Sequence, residues 1–290
     1  MTNCIVCNNQ DSFSLEYPNA KDDLFKNSKL KICKKCGFGI LCKTIEVKDL
    51  NKYYEDNYGE VANRNIYSSP VEYFEYPNKM YKATRSLSQI KLLSKYINIK
   101  NIKNILEIGP GLGTLCFLIK EVNKQAQYNV IEFEKQAIKH MLFLESKVYS
   151  SLDMINDSSI ELVISSHSLE HYQHNELLDT VNKYHVKLKE NGILLLEVPL
   201  IDFINNYTFQ TAQEHEPHTL FFTLESITEL FKKSGFEILF LNSVGDFTSK
   251  NRLLNYLYRI QNKLIKNGVF LLEYGGNRRC LRAVLKKVVL

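Results

Sequence analysis

The sequence predicts an α/β protein built on a parallel sheet and preceded by a small metal-binding module. Three observations lead there. From about residue 101, short apolar runs alternate with longer stretches of helical periodicity, the pattern that strand–helix crossovers impose. A glycine-rich turn, Gly109-Pro-Gly111-Leu-Gly113, joins the first of those runs to the first helical stretch. Ahead of it stand two CxxC pairs, Cys4 with Cys7 and Cys33 with Cys36. At 290 residues the chain has room for about two domains of ordinary size.

The α/β region reads element by element. Ile102–Ile108 is an apolar strand, and 114–123 after it carries a helical stripe of Leu115, Leu118, Ile119 and Val122. Tyr128–Phe133 is a second strand, followed by a helix through Ala137, Ile138, Met141 and Leu144. A short third strand fits 147–150, a fully buried fourth 160–165, and an amphipathic helix 176–189. Asn191-Gly192 stops that helix and opens a fifth strand over 193–198. Thr223 caps a helix running to Ser234, with Ser226 three residues on, and Gly235 ends it before strand 236–242. The run 281–289 makes a seventh, antiparallel strand, its Arg282 and Lys286 read as solvated charges between apolar residues. The implied organisation is a cysteine module over 1–45, a tyrosine-rich helical linker or lid over 46–100, and the α/β domain over 101–290. That domain carries an insertion at about 246–277.

Composition narrows the function classes. The chain is 44% hydrophobic and 24% charged, an ordinary globular balance, and no apolar run reaches the roughly 20 residues that a bilayer span needs. The opening MTNCIVCNNQDSF shows no basic stretch followed by an apolar one, which predicts a cytoplasmic location. Residues 250–290 hold ten Lys or Arg against Glu273 alone, or +9, so the rest of the chain sums to −4 of the total +5. A slightly acidic main body makes a nucleic-acid partner an unlikely first reading.

In such a compartment seven cysteines favour metal ligation or core packing over disulfides. Each CxxC turns two thiolates toward one ion, and two such turns close a tetrahedral site. Cys4, Cys7, Cys33 and Cys36 therefore predict one structural zinc, with no coordination position left open. Gly37 suits the left-handed position after the second knuckle. Cys42, Cys116 and Cys280 read as small apolar core residues.

The glycine turn lets the backbone approach a ligand closely. A dinucleotide fingerprint would need a further glycine where Thr114 stands, and the turn begins with a carboxylate, Glu107, at the strand end. A carboxylate disfavours a pyrophosphate but suits the cationic methionine end of S-adenosylmethionine. Glu132, at the end of the second strand, stands where a carboxylate can accept both ribose hydroxyls of an adenosine.

Over roughly residues 80–245 the sequence resembles the class I S-adenosylmethionine-dependent methyltransferases. The resemblance continues through Ser165-Ser-His167-Ser-Leu169-Glu170-His171 after the fourth strand, through 188–199, and through His218-Thr-Leu-Phe-Phe222 to Gly235-Phe236. Joined to the cysteine pairs and to Tyr53, Tyr54 and Tyr58, the whole is similar to zinc-ribbon methyltransferases near the sugar branch. The resemblance implies a Rossmann-like seven-stranded sheet and S-adenosylmethionine held by Glu107, Gly109, Gly111, Gly113, Glu132, Phe133 and His167. It also implies methyl transfer to a small polar acceptor, a sugar or nucleotide-sugar among them. A ribosomal-RNA methyltransferase with a zinc module, or a non-catalytic cofactor-binding protein, are the alternatives. For a hydroxyl acceptor, His215 in Glu214-His215-Glu216-Pro217-His218 is the favoured general base and His171 the alternate.

Overall fold

The computed structural model describes residues 3–17, 25, 28–56, 70, 84–201, 218–245 and 278–288. Three short strands, β1 (Ser12–Glu16), β2 (Lys29–Cys33) and β3 (Gly39–Leu41), lead to helix α1 (Val47–Asp56). Helix α2 (Thr84–Leu93) enters the α/β region, which continues β4 (Asn104–Ile108), α3 (Thr114–Val122), β5 (Gln127–Ile131), α4 (Lys135–Phe143), β6 (Lys147–Tyr149) and β7 (Ile160–Ser166). Then come α5 (Leu177–Lys187), β8 (Leu188–Pro199), β9 (Leu220–Phe221), α6 (Leu224–Lys233), β10 (Phe236–Gly245) and β11 (Arg278–Lys287).

The large sheet has seven strands in the order β10-β11-β8-β7-β4-β5-β6. β4 pairs in parallel with both β5 and β7, and β11 runs antiparallel to its neighbours β8 and β10. The chain leaves β4 toward β5 and β6, then returns to β7 on β4's other side. This reversal opens a crevice at the strand carboxyl ends, where α/β folds bind ligands.

Both faces are covered, which explains the unbroken apolar runs. In β7, Leu162 and Ile164 join Ile105, Val130 and Leu195 in one core layer with Leu115 and Ile119 of α3 and Met141 of α4. Val163 points the other way, into a layer with Leu106, Leu194, Val181 of α5 and Phe231 of α6. α6 begins with a complete capping box, Thr223 and Ser226 bonding each other's backbone N–H.

Two boundaries differ from the periodicity. Helix α5 ends at Lys187 and β8 begins at once, Leu188 pairing with Ile160. The next parallel partners are Leu162 and Ile193, so Lys189–Gly192 bulges out, with Asn191 left-handed at φ 60°. Asn191-Gly192 therefore shapes a bulge inside a strand and does not terminate the helix.

The cysteine module folds as a second sheet, β1-β2-β3-β9, whose fourth strand comes from the far side of the α/β region: Gly39 pairs with Phe221 and Ile40 with Leu220. Its core of Tyr17, Phe25, Leu30, Ile32, Leu41 and Tyr53 is completed by Ile201 and Phe221. Among the described residues no helix is long and apolar enough to cross a membrane.

Candidate functional site

At the crevice the backbone of Gly109, Gly111 and Gly113 is left-handed throughout, at φ 64°, 57° and 76°. A Cβ on Gly113 would lie 1.9 Å from the Met141 methyl carbon, so only glycine lets α3 start against α4 here. The Gly109 N–H donates to the Ile131 carbonyl (2.9 Å), tying the loop to the end of β5. Ser168, on the turn after β7, donates its hydroxyl to the Ile108 carbonyl and closes the loop from the other side.

Glu132 organises the second edge. One carboxylate oxygen accepts from the Phe133 and Glu134 N–H groups (2.9 and 3.0 Å), the other from the Gly111 N–H at 3.2 Å. Its carboxylate thus links the two loops that flank the crevice. Glu107 lies beneath the loop instead of in the crevice: it is buried, and the Tyr128 hydroxyl donates to it at 2.6 Å. Burial pushes its carboxyl up to about 7, with the Tyr128 hydrogen bond opposing and the Glu132 charge adding to the rise.

A cavity of about 410 Å³ opens beside these groups. Gly109, Glu132, Phe133, His167, Ser168 and His171 line it from the strand ends, with Asp153, Glu176 and Asp179 opposite and Leu50 of α1 reaching in from the N-terminal region. That region is held against the site by Gln173, whose side chain accepts from the Ile45 N–H (3.3 Å) and donates to the Ile45 carbonyl (2.6 Å).

Behind the cavity wall runs a buried ionic network. Arg282 of β11 stands directly across from Glu197 of β8 and bonds it through Nε, while its Nη1 donates to Ser88 of α2 at 2.6 Å. Gln89 donates to the same carboxylate at 3.0 Å. His167, left-handed at φ 54°, sits 3.4 Å from Glu197 on one side and 3.4 Å from Glu170 on the other. Burial and the Arg85 charge oppose a charged imidazole. The contacts of His167 with Cys280, Glu170 and Glu197 prevail and hold it well above the ordinary histidine range. Burial likewise opposes the charge on Glu170, yet His167 and the charge of His171 keep it down at about 2. His218 is buried and, chiefly for that reason, held down at about 3.

The network corrects two readings. Arg282 is 2% exposed and paired, so it is not a solvated strand charge. Cys42 is exposed, not a core residue, whereas Cys116 and Cys280 are buried. Glu197, Arg282, Gln173 and Leu50 were missed as site residues. Glu197 had a signal, being a lone carboxylate inside the apolar run Ile193–Val198 that folding could bury only with a partner. His215, with Glu214 and Glu216, lies outside the described residues.

The four module cysteines converge. Cys4 and Cys36 sulfurs lie 3.8 Å apart and those of Cys7 and Cys33 3.5 Å, all four within 4.8 Å of one another. These separations are too long for disulfides and close to the edge of about 3.8 Å that a tetrahedron with 2.3 Å zinc–sulfur bonds requires. The Cys36 thiol holds Cys4 down at about 5, while burial pushes Cys7 up. Four crowded cysteine sulfurs are a donor set that a divalent cation completes. The knuckles rest on α6: Thr223 donates to the Cys36 carbonyl (2.6 Å) and Lys233 to the Val6 carbonyl (2.8 Å).

A methyltransferase-domain family model matches residues 77–241, more than half of the chain. The chain belongs to that family. It is an S-adenosylmethionine-dependent methyltransferase. Solved structures share the fold. A candidate sarcosine dimethylglycine methyltransferase of Galdieria sulphuraria is 15% identical, with 82% of this chain and 98% of that one covered and a TM-score of 0.53. A complex of the Haloferax volcanii Trm112 methyltransferase activator with a candidate methyltransferase gives 12%, 82% and 97%, at 0.51. An S-adenosylmethionine-dependent methyltransferase of Mesorhizobium loti gives 11%, 69% and 98%, at 0.50. No curated protein matches this methyltransferase.

Proposed function

We propose that this methyltransferase acts on a small polar acceptor, with sugars or nucleotide-sugars as the leading class. In this reading helix α1, which follows the cysteine module and its one structural zinc, is part of the acceptor chamber. The observation that supports it is the position of Leu50: the N-terminal region supplies a wall of the cavity and is fastened there by the paired Ile45–Gln173 hydrogen bonds. A chamber walled in this way suits a compact acceptor, and the carboxylates of Asp153, Glu176 and Asp179 in its lining suit one rich in hydroxyl or amino groups. In this reading Glu132 holds the ribose of S-adenosylmethionine, Gly109, Gly111 and Gly113 border its amino-acid end, and Glu107 acts from beneath the loop. Phe133 and His167 flank the cofactor at the cavity wall. The chemistry is an in-line displacement at the methyl carbon, to which the protein contributes alignment and exclusion of water. His215 is the proposed base, with His171 the alternate.

The test is transfer of labelled methyl from S-adenosylmethionine to a panel of nucleotide-sugars, free sugars and small amines, run beside ribosomal RNA. Label in a small-molecule product supports the reading, and label confined to RNA overturns it.

A further inference from the structure

Two further groups of potential ligands adjoin the cavity: His167 with Glu197 and Cys280, and Glu170 with His171 and His218. The first is already satisfied. Glu197 is bonded by Arg282 and Gln89, and the His167 imidazole lies 3.4 Å from each of two carboxylates. The second is not. Both carboxylate oxygens of Glu170 and Nδ1 of His218 are buried with no hydrogen-bond partner among the described residues. Glu170 is 1% exposed and His218 5%. A buried carboxylate without a hydrogen-bond donor is costly, and a facing imidazole nitrogen also without a partner doubles the deficit. The His167 Nδ1 lies 3.4 Å from one of those oxygens, but it accounts for neither the second carboxylate oxygen nor the His218 nitrogen.

From this we infer that Glu170, His171 and His218 form a binding site for a divalent cation at the wall of the cavity. Two imidazoles and one carboxylate suit a first-row ion in the range from manganese to zinc. Their donor atoms lie within 4.8 Å of one another, and the two imidazole rings meet edge to face with centroids 5.0 Å apart. Ligands about 2.1 Å from an ion sit roughly 3.4 Å apart, so the group closes by side-chain rotation. The backbone beneath is already fixed. Thr219 donates its N–H and its hydroxyl to the Glu170 carbonyl (3.0 and 3.1 Å), and the His218 N–H donates to the Tyr17 hydroxyl at 3.1 Å. The ligands therefore come from two separate segments, the turn after β7 and the entry to β9, held together before any ion arrives.

Three protein ligands leave coordination positions open, and His171 borders the cavity. An ion here can take an acceptor oxygen on that side and lower the pKa of a hydroxyl. This role rests on the acceptor reading above, whereas the binding of the ion does not. It also takes His171 out of contention as the base and leaves His215.

The test is a titration of the zinc-loaded full-length protein with Co2+, without cofactor or acceptor, followed by visible absorption and calorimetry. One equivalent should bind with a d–d spectrum free of the thiolate-to-metal charge-transfer band that exchange into the cysteine site would produce. E170Q and H171A should each weaken that binding at least about tenfold, with thermal melts checking that both variants are folded. Absence of an added equivalent in the parent protein overturns the inference, as does a spectrum carrying the charge-transfer band or an unchanged affinity in both variants. Failure to bind Co2+ leaves the methyl-transfer assay untouched, so the two readings fall separately.

Discussion

Replacing Arg282 with methionine removes the cation from a carboxylate that is 1% exposed. Breaking a buried ion pair by deleting one partner costs about 3–5 kcal/mol, because the remaining charge keeps its desolvation penalty. Here Glu197 retains the Gln89 amide at 3.0 Å, the His167 imidazole at 3.4 Å and the half-exposed Arg85 guanidinium at 3.4 Å. These offset part of the loss, and the methionine stem keeps much of the packing, so the expected destabilisation is about 2–4 kcal/mol. Glu197→Leu alone should cost a similar amount by stranding Arg282, which is 2% exposed. The double variant carries neither charge and should recover at least about 1 kcal/mol of the summed losses, since the residues face each other in register across β8 and β11. Urea unfolding of the four proteins gives the cycle directly, with unchanged slopes as the check that the unfolded states are comparable. An R282M loss under about 0.5 kcal/mol, or strict additivity in the double variant, refutes the view that this pair carries a buried, uncompensated-charge penalty.

Glu132→Ala should weaken S-adenosylmethionine binding by about 1.5–3 kcal/mol, or roughly 10- to 150-fold by calorimetry, because it removes a charged acceptor and frees the Gly111 loop. An unchanged affinity would dissociate Glu132 from the cofactor. Cys33→Ser should abolish a zinc content near one per chain by elemental analysis, and metal-replete parent protein with none ends the zinc assignment. Glu107 should make stability fall as pH rises. From about pH 4.5 to about 7 the unfolded chain releases a proton that the folded one keeps, a loss near 3 kcal/mol at 1.36 kcal/mol per unit. Glu107→Gln should flatten that slope in thermal melts taken from pH 5 to pH 8, and an identical slope in parent and variant counts against the buried acid.

The elements that frame the crevice were legible because each is locally determined. Apolar runs set β4, β5 and β7, three left-handed glycines mark the loop, and Thr223 with Ser226 mark the start of α6. The cysteine pairs were legible for the same reason, since two short spacings carry the whole signal. What escaped depends on partners distant in sequence. Strands β1 to β3 are three to five residues long, and the alternation in Ser12–Glu16 and Lys29–Cys33 is too short to announce a sheet whose fourth strand, β9, lies far along the chain. Arg282 reads as an exposed charge in a strand because nothing near it in sequence announces Glu197, 85 residues earlier. The Glu170–His218 juxtaposition arises in the same way, from the turn after β7 meeting the entry to β9.

The fourth strand of the cysteine sheet has a consequence for how the molecule is made. β3 leaves the ribosome long before β9, and its edge stays unpaired until strands β4 to β8 have been synthesised. The loop that must close to bring Gly39 to Phe221 carries an entropic cost that grows only slowly with length. The delay in synthesis is therefore a larger obstacle than the closure itself. During that interval an early zinc can order the knuckles, but Phe221 and Ile201 are still missing from the apolar core they complete. The cysteine module is thus synthesised ahead of the α/β region yet finished after much of it, and a nascent chain stalled before residue 220 presents an open sheet edge to its neighbours.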